Sequence, residues 1–169
     1  DYLIISLICY LGLRISDVIN LKLSNIDFNN NTISIIQCKT DKILTLPLID
    51  KVKYPLLDYL KNVRPTDTDI DYIFITNINP YRHKIELKTH NHKVRNYLEK
   101  AGVNINGRKH GFHSLRHSFS TSLLNEEVSL YSISTILGHQ KLDTTMMYLA
   151  IDASKLKELA LEVPYVKWV

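Results

Sequence analysis

The sequence predicts a mainly α-helical α+β domain with a small antiparallel β-sheet, and three patterns carry that prediction. Apolar residues recur at helical spacing in both halves of the chain, a β-branched run folds back on itself around residue 39, and glycines stand where the helical stripes stop. At 169 residues the chain suits one domain, spanning 1–169, with enough length to bury a core.

The stripe Leu3, Ile4, Leu7, Ile8 and Leu11 has helical spacing, and Gly12 supplies a left-handed stop. Ser16 then suits the cap of a second helix carrying Val18, Ile19 and Leu23, which puts Arg14 in the tight connection between two packed helices. After the turn-like Asn29-Asn30-Asn31, the run from Thr32 to Cys38 is β-branched, and Ile43 to Leu46 follows the polar Lys39-Thr40-Asp41-Lys42. The pair reads as a hairpin with Lys39 at its bend. Tyr72 to Thr76 reads as a third short strand, and Val94, Tyr97, Leu98 and Ala101 as a helix closed by Gly102. Leu115, Phe119 and Leu123 form the next stripe, with Ser114 as its expected N-cap, and Leu130, Ile133 and Leu137 form another that stops at Gly138. Two short helices are expected beyond it, one holding Tyr148 and one holding Leu156, Leu159, Ala160 and Val163 before Pro164.

Composition narrows the class without naming a function. Hydrophobic residues at 45% and charged residues at 22% are ordinary for a soluble globular protein and argue against disorder or a fibrous repeat. The balance of 21 Lys and Arg against 17 Asp and Glu gives a net charge of +4, and the pI near 9.0 suits a polyanionic partner. Two cysteines, Cys9 and Cys38, form neither a disulfide framework nor a paired-cysteine zinc pattern, so a reducing cytoplasm is expected. The most apolar stretch, Tyr2 to Leu11, is about half the length of a membrane span and reads as a buried helix. The chain opens on that helix without a start methionine and so reads as a fragment of something longer.

Three groups of residues carry chemistry beyond this architecture: Gly12-Leu13-Arg14 with Asp17, then His113-Ser114-Leu115-Arg116-His117, then Leu137-Gly138-His139 with Tyr148 following. In this order, with Lys39 between the first two, they resemble the tyrosine recombinase (phage integrase) family from the first helix to Tyr148. Each motif alone is weak; the ordered set is specific. The resemblance implies the catalytic-domain fold of that family and metal-independent cleavage and rejoining of DNA through a 3′-phosphotyrosyl intermediate.

The chemistry explains the residue types. Attack of a hydroxyl on a phosphodiester concentrates negative charge on two non-bridging oxygens, and planar guanidinium forks answer that geometry. Arg14 and Arg116 are the expected forks, with Arg116 placed in the first turn of its helix, where the dipole also favours phosphate. By resemblance His113 and His139 are the two active-site histidines, Tyr148 is the nucleophile among ten tyrosines, and Lys39 is the mobile acid that protonates the leaving 5′ oxygen. Asp17 is expected to prop Arg14, and His117 to support by packing or orientation. Tyr131 and Tyr165 are the alternative nucleophiles, and Lys42 shares the bend with Lys39.

No cofactor and no metal are implied. The implied partner is double-stranded DNA at an attachment or recombination site, bound by a tetramer of protomers in the full-length protein, with no membrane association. An N-terminal core-binding domain is expected outside this sequence, and a C-terminal helix is expected over 152–163, docking either on a neighbouring protomer or in cis on its own chain. The expected setting is the nucleoid of a bacterial, phage or mobile-element host, in the cytoplasm. Integration, excision, inversion and dimer resolution all remain open, with a mobile-element integrase favoured. One rival is a zinc hydrolase using His113 and His117 at i, i+4, although Ser114 stands where its glutamate base would be. The others are an inactive DNA-binding module of the same fold and a type IB topoisomerase, against which a histidine at both 113 and 139 leans.

Overall fold

The computed structural model describes residues 1–78, 82–86, 91–107 and 110–138. His139, Tyr148, Tyr165 and both expected C-terminal helices lie outside the described residues.

Helix α1, Tyr2–Leu11, buries Leu3, Ile4, Leu7, Ile8 and Leu11, the expected stripe. It ends at Gly12, whose φ of 63° and ψ of 22° let its N–H return to the Ile8 carbonyl at 3.0 Å. The glycine serves packing as well, because a Cβ there would sit 2.5 Å from the Phe119 ring. Helix α2, Ile15–Ile19, follows after three residues, with Arg14 in extended conformation as its N-cap. Ser16 therefore lies inside the helix instead of capping it, and its carbonyl accepts from the Asn20 amide at 2.8 Å. The sharp Gly12 turn starts the new helix earlier than the polar side chain suggests. Leu23 belongs to a separate 3-10 turn, Leu23–Asn25.

A three-stranded antiparallel sheet comes next, in the order β1 (Ile26–Asp27), β2 (Thr32–Ile36), β3 (Ile43–Pro47). Its alternation is strict: Ile33 pairs with Leu46 and Ile35 with Leu44 toward the core, while the Ser34 and Thr45 hydroxyls lie 2.9 Å apart on the outer face. The hairpin matches expectation, although β2 ends at Ile36, and the turn is closed by Gln37 N–H donating to the Lys42 carbonyl at 2.9 Å. The segment expected as a third strand joins no sheet. Tyr72 bridges Lys22 and Ile75 bridges Lys84, each as an isolated pair, with Ile73, Phe74 and Ile75 buried between them. Its β-branched character reflects burial, because single-residue partners on either side leave no ladder to extend.

Helix α3, Asp50–Asn62, was not expected from the sequence because Pro55 interrupts its centre. Its apolar face of Val52, Leu56, Tyr59 and Leu60 packs on the main core, and α1 lies against it. Helices α4 (Asn91–Lys100), α5 (Phe112–Asn125) and α6 (Leu130–Leu137) complete the described fold. The main core joins α1, α2, α3 and the inner sheet face; Ile133 and Leu137 form a smaller one with Phe119, Leu123, Leu124 and Val128. Truncating a residue such as Leu7, fully enclosed, costs about 2–5 kcal/mol in such a setting. Gly12 lies where the two cores meet, touching α5 through Phe119 and α6 through Leu137.

Candidate active site

Three helix ends converge beside Gly12, and Arg116 ties them together. The residue is only 3% exposed. One guanidinium nitrogen donates to the Gly12 carbonyl and the other to the Leu137 carbonyl, the latter at 2.7 Å. Both acceptors belong to the last turns of helices, where carbonyls lack intrahelical partners. These two bonds fix the plane of the guanidinium.

The helix that carries Arg116 starts earlier than expected. Gly111, at φ 153° and ψ −178°, occupies a region open to glycine and takes the N-cap position, with Phe112 buried behind it. Ser114 is thus helical and does not cap, and its carbonyl accepts from the Ser118 hydroxyl at 3.0 Å. Arg116 becomes the fifth helical residue, one past the first turn, so carbonyl anchoring replaces the helix dipole as the reason for its placement. His113, the second helical residue, is exposed, and His117 is half-buried with Nδ1 3.5 Å from the Thr121 hydroxyl. Among the described residues no group of three metal-ligating side chains forms around them.

Arg14 approaches the same corner from the α1–α2 connection. Its side chain is 19% exposed, and Nη1 lies 3.9 Å from Oδ2 of the buried Asp17, the long end of ion-pair range. Asp17 is committed elsewhere: its Oδ1 accepts from the Cys38 backbone N–H at 2.9 Å, tying α2 to the hairpin turn. Burial first, and then the Asp17 carboxylate, push the Cys38 thiol above its ordinary value, which keeps it protonated despite its exposure. Beside Asp17 an open groove lined by Asn20, Lys22 and Tyr72 carries further positive charge, with the Lys22 and Lys84 ammoniums 5.5 and 5.2 Å from the Tyr72 ring centre.

Lys39 sits exposed in the turn between β2 and β3, as expected for the bend. The backbone there is held by Thr40 and Asp41 N–H groups donating to the Gln37 carbonyl at 3.2 and 2.9 Å, with Asp41 in the left-handed region at φ 53°. The described structure thus brings Arg14, Asp17 and Arg116 to one corner, with Lys39 on the adjoining turn.

Sequence reasoning overlooked Gln37, which is completely buried between the turn and the end of α6. One end of its amide lies 2.8 Å from the Thr40 hydroxyl and 3.2 Å from the Gly138 carbonyl, and the other lies 3.2 Å from Arg14 Nη1. A guanidinium only donates, so the amide oxygen is assigned to the Arg14 side, where the Leu137 carbonyl also lies 3.3 Å away, and the NH2 to the side of Thr40 and Gly138. Gly138, at φ 61° and ψ 44°, leaves room for this approach, because a Cβ there would overlap the Gln37 amide. A signal existed: Ile33, Ile35 and Gln37 share the inward face of β2 by alternation, which marks a polar residue among core positions.

Known proteins share this arrangement of elements. The phage integrase family matches residues 1–155. The chain is 34% identical over 164 residues to a Sinorhizobium fredii protein provisionally named integrase/recombinase y4gC, covering 97% of this chain and 83% of that one. Among solved structures, XerA recombinase superposes with a TM-score of 0.77 at 31% identity, over 98% of this chain and 58% of that one. XerH site-specific recombinase, bound to its palindromic difH substrate in a post-cleavage complex, gives 0.75 at 26% identity, over 94% of this chain and 44% of that one. The chain therefore spans about half the length of these two recombinases. The chain belongs to the phage integrase family, and its fold is that of the tyrosine recombinase catalytic domains.

Proposed function

We propose that this chain cleaves and rejoins DNA in site-specific recombination, with Tyr148 as nucleophile and no metal ion. The Tyr148 oxygen attacks a backbone phosphorus, the bond from phosphorus to the 5′ oxygen breaks, and a 3′-phosphotyrosyl link forms. His113 and His139 accept the phenolic proton or donate to the phosphate, and Lys39 delivers a proton to the departing 5′ oxygen. Arg14 and Arg116 hold the non-bridging oxygens, where metal ions would stand in a nuclease. Attack by the freed 5′ hydroxyl of another strand reverses the chemistry and completes an exchange.

The observation that supports this most is the convergence of Arg14 and Arg116, from opposite ends of the described chain, on the Leu137–Gly138 helix end. Two backbone carbonyls hold the Arg116 guanidinium and fix the direction in which its donors point. The cationic groove at Lys22 and Lys84 suits the backbone of a duplex.

In the whole protein we place this domain in a tetramer on double-stranded DNA, behind an N-terminal core-binding domain, with residues 152–163 docking on a neighbouring protomer. A mobile-element integrase is the favoured role. The test is incubation with nicked DNA carrying the attachment site, in excess chelator, followed by denaturing electrophoresis. A covalent protein–DNA adduct is expected; an adduct that needs added zinc or magnesium, or none at all, overturns the reading.

A further inference from the structure

We infer that Gln37 is a positioning residue that aims Arg14 at the scissile phosphate and locks it to the α6 helix end. The inference rests on the strand-cleavage reading above. The Gln37 amide oxygen stands 3.2 Å from Arg14 Nη1, nearer than the Asp17 carboxylate at 3.9 Å. Asp17 already receives the Cys38 backbone N–H, so its carboxylate is aimed at the turn more than at the arginine. A neutral amide also suits the task better than an acid would. It orients the guanidinium by one hydrogen bond while leaving the positive charge uncancelled for an incoming phosphate.

The other end of the same amide reaches Gly138, whose neighbour Leu137 gives its carbonyl to Arg116. Gln37 thereby ties Arg14 to the helix terminus on which Arg116 is independently anchored. Burial at 0% exposure makes the arrangement costly to miss, since an enclosed amide without partners gives up its hydration with no return. Were Gln37 merely filling space, an apolar side chain of similar volume would serve on a face otherwise made of Ile33 and Ile35.

The test uses the protein with nicked attachment-site DNA and reads single-turnover adduct formation at saturating protein, beside DNA affinity and thermal melting. Gln37→Met keeps volume and removes both hydrogen-bonding ends. It should lower the single-turnover rate at least about tenfold, as expected for a misaimed charge donor, with DNA affinity changed by less than about threefold. In an Arg14→Ala background the same substitution should cause no further loss, because a residue acting through Arg14 has nothing left to act on. A purely structural residue would instead slow both backgrounds by the same factor. If Gln37→Met melts below the assay temperature, Gln37→Asn, which keeps an amide but withdraws it from Arg14 by one methylene, goes through the same cycle. A parent-like rate, an equal loss in both backgrounds, or a loss confined to affinity overturns the assignment. An inactive parent chain overturns the strand-cleavage reading and takes this inference with it, whereas an active parent beside an equally active Gln37→Met overturns this inference alone.

Discussion

The corner at Gly12, Arg116 and Leu137 and the turn at Lys39 adjoin each other and are built on opposite physical terms. The corner is buried, Arg116 and Gln37 are held there by backbone carbonyls and side-chain partners, and the glycines on its rim sit where a Cβ would collide. The turn is short and exposed at Lys39, held by backbone hydrogen bonds around Gln37 and by side-chain bonds from Asp17 and Thr40 at its base. The difference matches two chemical tasks. A charge that stabilises non-bridging oxygens works best when it cannot reorganise, whereas a proton donor must reach its acceptor and withdraw.

Four substitutions would break or sharpen that contrast, in order of expected effect. Tyr148→Phe should abolish adduct formation while leaving DNA binding and melting unchanged, because only the nucleophilic oxygen is lost; an adduct that survives moves the nucleophile to Tyr131 or Tyr165. Arg116→Ala should damage both activity and stability. Cleavage should fall at least about 10²-fold, and the Gly12 and Leu137 carbonyls left without a donor should together cost roughly 2–5 kcal/mol, read by denaturant unfolding. A variant that loses cleavage but unfolds like the parent would show that the corner is less rigid than its hydrogen bonds imply.

Lys39→Ala should hurt activity alone, slowing cleavage about 10²-fold or more with unfolding free energy within about 0.5 kcal/mol of the parent. A substrate with sulfur at the bridging 5′ position should restore this variant, since a thiolate leaves without protonation, but should not restore Arg116→Ala. Equal slowness on both substrates would transfer the acid role to Lys42 or His139. Gly138→Ala should destabilise by about 1–3 kcal/mol through its positive φ and its overlap with the Gln37 amide, and slow cleavage less than Arg116→Ala does.

Much of this was legible in the sequence because the relevant elements are locally determined. Leu3 to Leu11 and Leu130 to Leu137 declare themselves as stripes closed by left-handed glycines, and the hairpin around Lys39 follows from its β-branched flanks. What was missed depends on contacts distant in the chain. Two-residue β1 is too short for a pattern, and α3 hides its stripe behind Pro55. Ser16 and Ser114 look like caps, yet backbone geometry at Gly12 and Gly111 starts both helices upstream of them. Arg14 and Arg116 could be chosen by motif, but Gln37 acquires its meaning only when the end of α6, far along the chain, is packed on top of it.

The Arg116 staple also bears on when the chain becomes competent at all. Its two carbonyl partners lie 104 positions upstream and 21 positions downstream. Contacts of such separation form late, after the loops between them have closed, and a chain emerging from the ribosome presents its N-terminal arginine long before residue 137 exists. A nascent or partly unfolded copy therefore carries isolated basic side chains that attract DNA without gripping a phosphate for attack. For a protein proposed to cut DNA, the grip on a phosphate then depends on completed folding.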